Sequence, residues 1–171
     1  MKTKDIALIG VMIAIIEVCK VALAWAPNIE VTSFWIIIFS IYFTKQIFYA
    51  IPIFILIEGA IYGFGLWWVM YLYAWPLLTI VCRMFKKMNS AISWSILSGG
   101  FGLLFGLLCA IPYIFIGAAG TSFISGLKYA FGWWIAGIPF DITHGIGNFV
   151  IMLILYHPIT RVMKKIEFLH E

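Results

Sequence analysis

Apolar runs broken by short polar stretches constrain this chain more than any motif does. The runs cover residues 6–24, 31–43, 47–65, 66–85, 91–116 and 139–163. Basic residues fall at alternate breaks. Lys2, Lys4, Lys45, Arg83, Lys86, Lys87, Arg161, Lys164 and Lys165 all lie on one side of a six-span arrangement, and only Lys20 and Lys128 on the other. Such an asymmetry orients helices in a membrane with the basic side inward. Adding or removing a span would scramble the alternation.

Composition agrees. With 64% hydrophobic and 11% charged residues in 171, a soluble domain could not cover its apolar surface. The expected fold is therefore all-α: one integral membrane bundle of six transmembrane helices spanning residues 1–171, both termini cytoplasmic. Cys19, Cys82 and Cys109 sit inside apolar runs and have neither disulfide nor metal spacing. Lys2 and Lys4 before an apolar run resemble a signal peptide, with Ala22-Leu-Ala24 as its cleavage site. Glu17 and Lys20 interrupt that run where a signal is most apolar, so the segment reads as a retained first helix.

The breaks have recognisable chemistry. Pro27 stops the first run and Asn28 suits a turn. Thr32 or Ser33 can cap the second helix, although run 31–43 is short for a span of about 20 residues. Thr44-Lys-Gln46 is a polar turn, Pro52 a kink, and Gly63-Phe-Gly65 a break. Residues 117–137, glycine-rich and then aromatic, read as a loop with a short interfacial helix holding Trp133 and Trp134. The last helix then starts near Pro139.

Polar residues gather at the end opposite the basic ones. A helix from Pro139 places Asp141, His144 and Asn148 on one face. Intramembrane Asp and His normally face a cavity, a partner or a pathway, so this face reads as a wall of a small-molecule site. A metal set is disfavoured, because His157 and His170 lie at the far end. Glu58 is a carboxylate inside a span; it is protonated, pairs with Lys20 or His144, or awaits a ligand donor. Glu17 and Lys20, one turn apart, suit an intrahelical ion pair, and Glu30 is either a solvated loop residue or a lid contact. Trp68, Tyr71 and Trp75 form a stripe suited either to the core or to stacking on a flat ring or a cation. Ala7, Gly10 and Ala14 form a stripe of small residues on the first helix, a surface for close helix approach or ordinary bundle packing. Gly100-Phe-Gly102 and Gly145-Ile-Gly147 follow no strand and carry no phosphate-loop lysine.

Ala26-Pro-Asn-Ile-Glu30, Glu58-Gly59 with Tyr62-Gly-Phe-Gly65, and Gly137-Ile-Pro-Phe-Asp-Ile-Thr-His144 with Asn148, set in this architecture, resemble the substrate-binding S-components of energy-coupling factor (ECF) vitamin transporters. The resemblance implies a protein that is not an enzyme and needs no cofactor. It would bind a water-soluble vitamin or precursor from outside a bacterial or archaeal cell membrane. It would dock on a transmembrane coupling protein with two ATPase subunits, and involve no nucleic acid. It also implies ligand contacts at Asn28, Glu30, Trp68, Tyr71, Trp133, Asp141, His144 and Asn148, to which intramembrane burial adds Glu58. Docking would use Gly10 and Ala14, with Ala7 beside them, where the family has an alanine pair. Aromatic and polar groups suit a nitrogen heterocycle such as hydroxymethylpyrimidine, thiamine or a pyridoxine-like ring; cobalamin and modified purines stay open. The rival readings are a membrane enzyme using Glu58, Asp141 and His144, or a stand-alone facilitator.

Overall fold

The computed structural model describes residues 2–26 and 28–170, with no side-chain description for 167–170. The helix stop expected at Pro27 and the side chain of His170 therefore lie outside the described residues. Among the described residues there are six helices and no strand: α1 (Thr3–Ala22), α2 (Thr32–Tyr42), α3 (Ile47–Tyr62), α4 (Leu66–Met84), α5 (Ala91–Ala118) and α6 (Phe123–His170). Three are long and apolar enough to cross a membrane: Leu66–Met84, Ala91–Ala118 and the Phe123–Ile166 part of α6. Large apolar side chains such as Leu56, Ile96, Ile146 and Ile154 project outward, the inverse of a soluble surface.

The helices α2 and α3 are shorter than the other apolar ones. At about 1.5 Å per residue, the 11 residues of α2 reach about half of the ~30 Å hydrocarbon thickness, and the 16 residues of α3 fall short of it. Instead α2 is the buried axis of the bundle. Phe34, Ile36, Ile37, Ile38 and Phe39 have essentially no exposure, and α2 touches all five other helices. Its β-branched run is tolerated in a helix because burial outweighs the weak propensity cost. The expected cap is corrected. Val31 is the N-cap, and Thr32 and Ser33 lie inside the helix with no side-chain capping bond. Thr32 Oγ1 instead donates to Glu30 Oε2 at 3.1 Å. The α1–α2 turn is as expected, with Asn28 at φ 59°, a conformation that Asn tolerates.

The second correction concerns α6. It starts at Phe123, not near Pro139, and runs for 48 residues through Pro139 and Pro158. The expected loop and interfacial helix over 117–137 reduce to a connection at residues 119–122, where Gly120 has φ +71°. The glycines that imitate a loop are packing residues. A Cβ on Gly117 would meet the Tyr129 side chain, and one on Gly126 would meet the Ile114 carbonyl and Ala118. Helix continues through the prolines because, in an apolar surrounding, unpaired backbone is costlier than one lost bond. Thr143 Oγ1 donates to the Pro139 carbonyl at 3.1 Å.

The α5–α6 pair is the most extensive contact in the molecule and is a glycine seam. A Cβ on Gly102 would stand 2.8 Å from the Gly145 Cα, and one on Gly145 would meet Leu103 at 2.6 Å. Small residues let apolar helices approach where lipid supplies no hydrophobic drive between them. Trp75 anchors the centre, with Phe54, Tyr71, Phe101 and Phe105 around it at 5.2–6.5 Å.

The two ends of the bundle differ in chemistry. At one end, Gln46 Nε2 donates to Asp5 Oδ1 at 2.8 Å and Arg83 lies over Phe48, so the start of α1, the α2–α3 turn and the end of α4 share a level with Lys45, Lys86 and Lys87. Glu30, Glu58, Tyr62, Trp67 and Tyr71 gather at the other end, with Lys20.

Candidate functional site

At that second end, a cavity of about 450 Å³ opens between the end of α1, the α1–α2 connection, the end of α3 and the start of α4. Its walls carry Lys20, Asn28, Glu30, Glu58, Tyr62, Trp67 and Tyr71, with aliphatic residues between them. Each wall has a local origin. Gly63, at φ +90°, ends α3 and leaves Tyr62 at the rim. Gly65 begins α4, so Trp67 and Tyr71, four residues apart, share a face.

Glu58 is the most buried polar group here. It has 0% exposure and is ion-paired through Oε2 with Lys20 Nζ. The intrahelical pair expected between Glu17 and Lys20 is therefore corrected: Lys20 crosses to pair with Glu58 on α3, and the Glu17 carboxyl is set against that of Glu58. A fully buried carboxylate gains more from a neighbouring ammonium than a half-buried one does. The Tyr71 ring sits edge-on to Trp67 (5.3 Å) and to Trp75 (5.2 Å), which holds its face in position.

The structure brings together four of the nine expected ligand residues: Asn28, Glu30, Glu58 and Tyr71 line one cavity. His144 joins it indirectly, with Nε2 3.5 Å from Glu30 Oε1 and its ring edge-on to Phe105 at 5.1 Å. The other four lie elsewhere. Trp68 donates from Nε1 to the Ile55 carbonyl at 2.7 Å and packs on Phe64 at 5.1 Å; its neighbour Trp67 lines the cavity. Trp133 stacks on Tyr113 at 4.3 Å in the α5–α6 hairpin. Asp141 accepts from the Gly106 amide at 2.9 Å, and Asn148 Nδ2 reaches the Ser98 carbonyl at 3.5 Å. Asp141 and Asn148 thus face α5 across the seam, where the glycines make room for them. Glu58, Asp141 and His144 engage three separate partners.

The lining residues the sequence reading missed are Lys20, Tyr62 and Trp67. A signal existed for Lys20: it is the one lysine inside the first apolar run, and an intramembrane ionisable group calls for a named partner. No group of three or more His, Cys, Asp or Glu side chains suited to a metal occurs among the described residues. The docking stripe faces outward: Ala7, Gly10 and Ala14 are exposed, and a Cβ on Gly10 would meet nothing within 4 Å.

Fold and cavity together define an all-helical, membrane-type bundle with a polar, aromatic-walled pocket at one end. No family model matches the chain, and no curated protein or solved structure matches it either.

Proposed function

We propose that this protein is the substrate-capture subunit of an ECF-type, ATP-dependent importer. It binds a water-soluble vitamin or vitamin precursor, a nitrogen heterocycle of the hydroxymethylpyrimidine, thiamine or pyridoxine kind, and performs no covalent chemistry itself. In this reading the chain is a multi-pass protein of the cell membrane with both termini in the cytoplasm. The helices cross as six segments, α2 and α3 traversing only with the help of their polar flanks. The observation that carries the reading is the one-ended cavity. Asn28, Glu30, Glu58 and Tyr71 line one cavity at the end opposite Lys45, Lys86 and Lys87, and the Phe54 and Trp75 rings pack against Tyr71. A conduit would carry polar groups through the whole thickness. The outward stripe of Ala7, Gly10 and Ala14 supplies a surface on which a coupling protein could seat closely.

The test is native mass spectrometry of the full chain purified from cells, with identification of any released molecule and titration of tryptophan fluorescence. The expected result is a bound heterocycle with submicromolar affinity, and co-purification with an ATPase module when that module is co-expressed. A protein that releases nothing, ignores a vitamin panel and never associates with an ATPase would overturn the reading.

A further inference from the structure

The cavity already holds a cation, and it is the chain's own. Lys20 Nζ, paired with Glu58, stands 5.0 Å from the centroid of the Tyr62 ring and 5.5 Å from that of Tyr71. The groups come from α1, α3 and α4, and all four residues line the cavity. A carboxylate with ring faces beside it is the arrangement that recognises an ammonium or an N-alkylated ring.

Three features set this apart from a structural ion pair. First, Glu58 lines the cavity with 0% exposure, and among the described residues Lys20 is the cation paired with it, the other group within hydrogen-bond reach being a second acid, Glu17. Second, acids outnumber bases: Glu30 also lines the cavity and Glu17 lies beside Glu58, against the single Lys20 ammonium, and His144 faces Glu30. Third, the Lys20 side chain keeps 22% of its surface exposed and carries its charge on a flexible four-carbon stem. It can leave Glu58 for the mouth of the cavity without moving a helix.

We propose that Lys20 is a tethered stand-in for a positive charge on the substrate. The cavity takes an organic cation, a protonated amine or a ring with a fixed positive nitrogen, whose charge displaces Lys20 Nζ from Glu58 and from the faces of Tyr62 and Tyr71. The exchange keeps a buried carboxylate compensated in both states, which a site with Glu58 alone could not do. This inference rests on the capture reading of the same cavity and adds the class of ligand.

The experiment uses the full chain in detergent and three probes that share one ring and differ in charge: 1-methylnicotinamide, methylated on the ring nitrogen (a fixed cation), nicotinamide (neutral) and nicotinate (an anion). Binding is read from tryptophan fluorescence, Trp67 being on the cavity wall, and from the thermal midpoint. The cation is expected to bind about tenfold more tightly than the neutral ring, and the anion most weakly. Lys20→Gln removes the competitor, so cation affinity should rise about tenfold further and the cation should raise that variant's midpoint, with nicotinamide unchanged. Tyr62→Leu, at a half-exposed position that the fold tolerates, should weaken the cation about fivefold and spare the neutral ring, whether or not Lys20→Gln folds.

Neutral or anionic probes binding as tightly as the cation would overturn the inference. So would a Lys20→Gln protein that loses affinity for every probe, since Lys20 would then contact the ligand directly. No response to any probe would overturn it as well. None of these results touches the capture reading, which stands or falls on the molecule released from the purified protein.

Discussion

Glu58 and Lys20 show how one buried pair can have unequal partners. The Glu58 side chain is wholly enclosed and that of Lys20 keeps 22% exposure. Removing the ammonium leaves an enclosed carboxylate without its compensating charge; removing the carboxylate frees a lysine to turn toward the cavity mouth. Lys20→Met is therefore expected to cost about 3 kcal/mol, in the range for breaking a buried pair. Glu58→Gln should cost clearly less, about 1 kcal/mol for a replaced hydrogen bond. Thermal midpoints of the two variants in one detergent check the order. Equal losses would mean that Lys20 is as confined as Glu58. Asp141 makes a different residue-scale case. Its Oδ1 takes the Gly106 amide at 2.9 Å, and a Cβ on Gly106 would collide with its carboxylate. Gly106→Ala should cost about 1–3 kcal/mol. Gly100→Ala on the same helix, where a Cβ meets nothing within 4 Å, should stay within about 1 kcal/mol of the parent. A protease-resistance or thermal comparison of the pair separates contact from propensity.

At the scale of elements, the sequence declares its helices wherever a charge or a glycine pair punctuates an apolar run. The starts of α3 and α4 at Ile47 and Leu66 follow Thr44-Lys-Gln46 and Gly63-Phe-Gly65 directly, and that of α5 at Ala91 comes after Arg83-Met-Phe-Lys-Lys87 with three residues between. Two things stay hidden. An apolar run does not say whether it faces lipid or protein, so α2 reads as a short span and folds as a buried axis. A glycine does not say whether it breaks a helix or admits a neighbour. Gly63 does the first, with φ +90°; Gly117 and Gly126 do the second, and the boundary of α6 moved accordingly from Pro139 to Phe123. The site divides along the same line. Asn28 and Glu30 sit in a chain break, Glu58 and Tyr71 lie within two turns of the Gly63–Gly65 break, and the four line one cavity. Asp141 and Asn148 share a helical face with His144 as their spacing requires, but which helix that face meets is set by Gly99, Gly102 and Gly106 on α5, a tertiary fact. Trp67 against Trp68 is a matter of 100° of helical phase, which adjacent identical residues cannot resolve.

At the scale of the whole molecule, two predictions follow from its polarity of charge and from its outward stripe. If the basic end is cytoplasmic, a cysteine at Lys87 should react with a membrane-impermeant maleimide only in inverted vesicles, and one at Thr121, in the α5–α6 connection, only in intact cells, each in a background lacking Cys19, Cys82 and Cys109. Labelling of both from one side would break the up-and-down arrangement. The stripe is the sharper case. Ala7, Gly10 and Ala14 contribute little to the interior: they are exposed, and the space beside Gly10 is open. The inward face of the same helix is Ile9, Met12, Ile13 and Ile16. A bulky residue at Gly10 therefore meets nothing nearby among the described residues. Gly10→Leu and Ala14→Leu should leave the thermal midpoint within about 1 kcal/mol of parental stability and ligand affinity unchanged. If a coupling protein seats on that face, both should abolish uptake by cells that supply the ATPase module, because a leucine holds the two backbones apart. Met12→Ala, on the buried face at 0% exposure, is the opposite control. It should cost about 2–5 kcal/mol and lower uptake only in proportion to the folded protein that remains. Uptake that survives both leucine substitutions would place the partner on another face of the bundle.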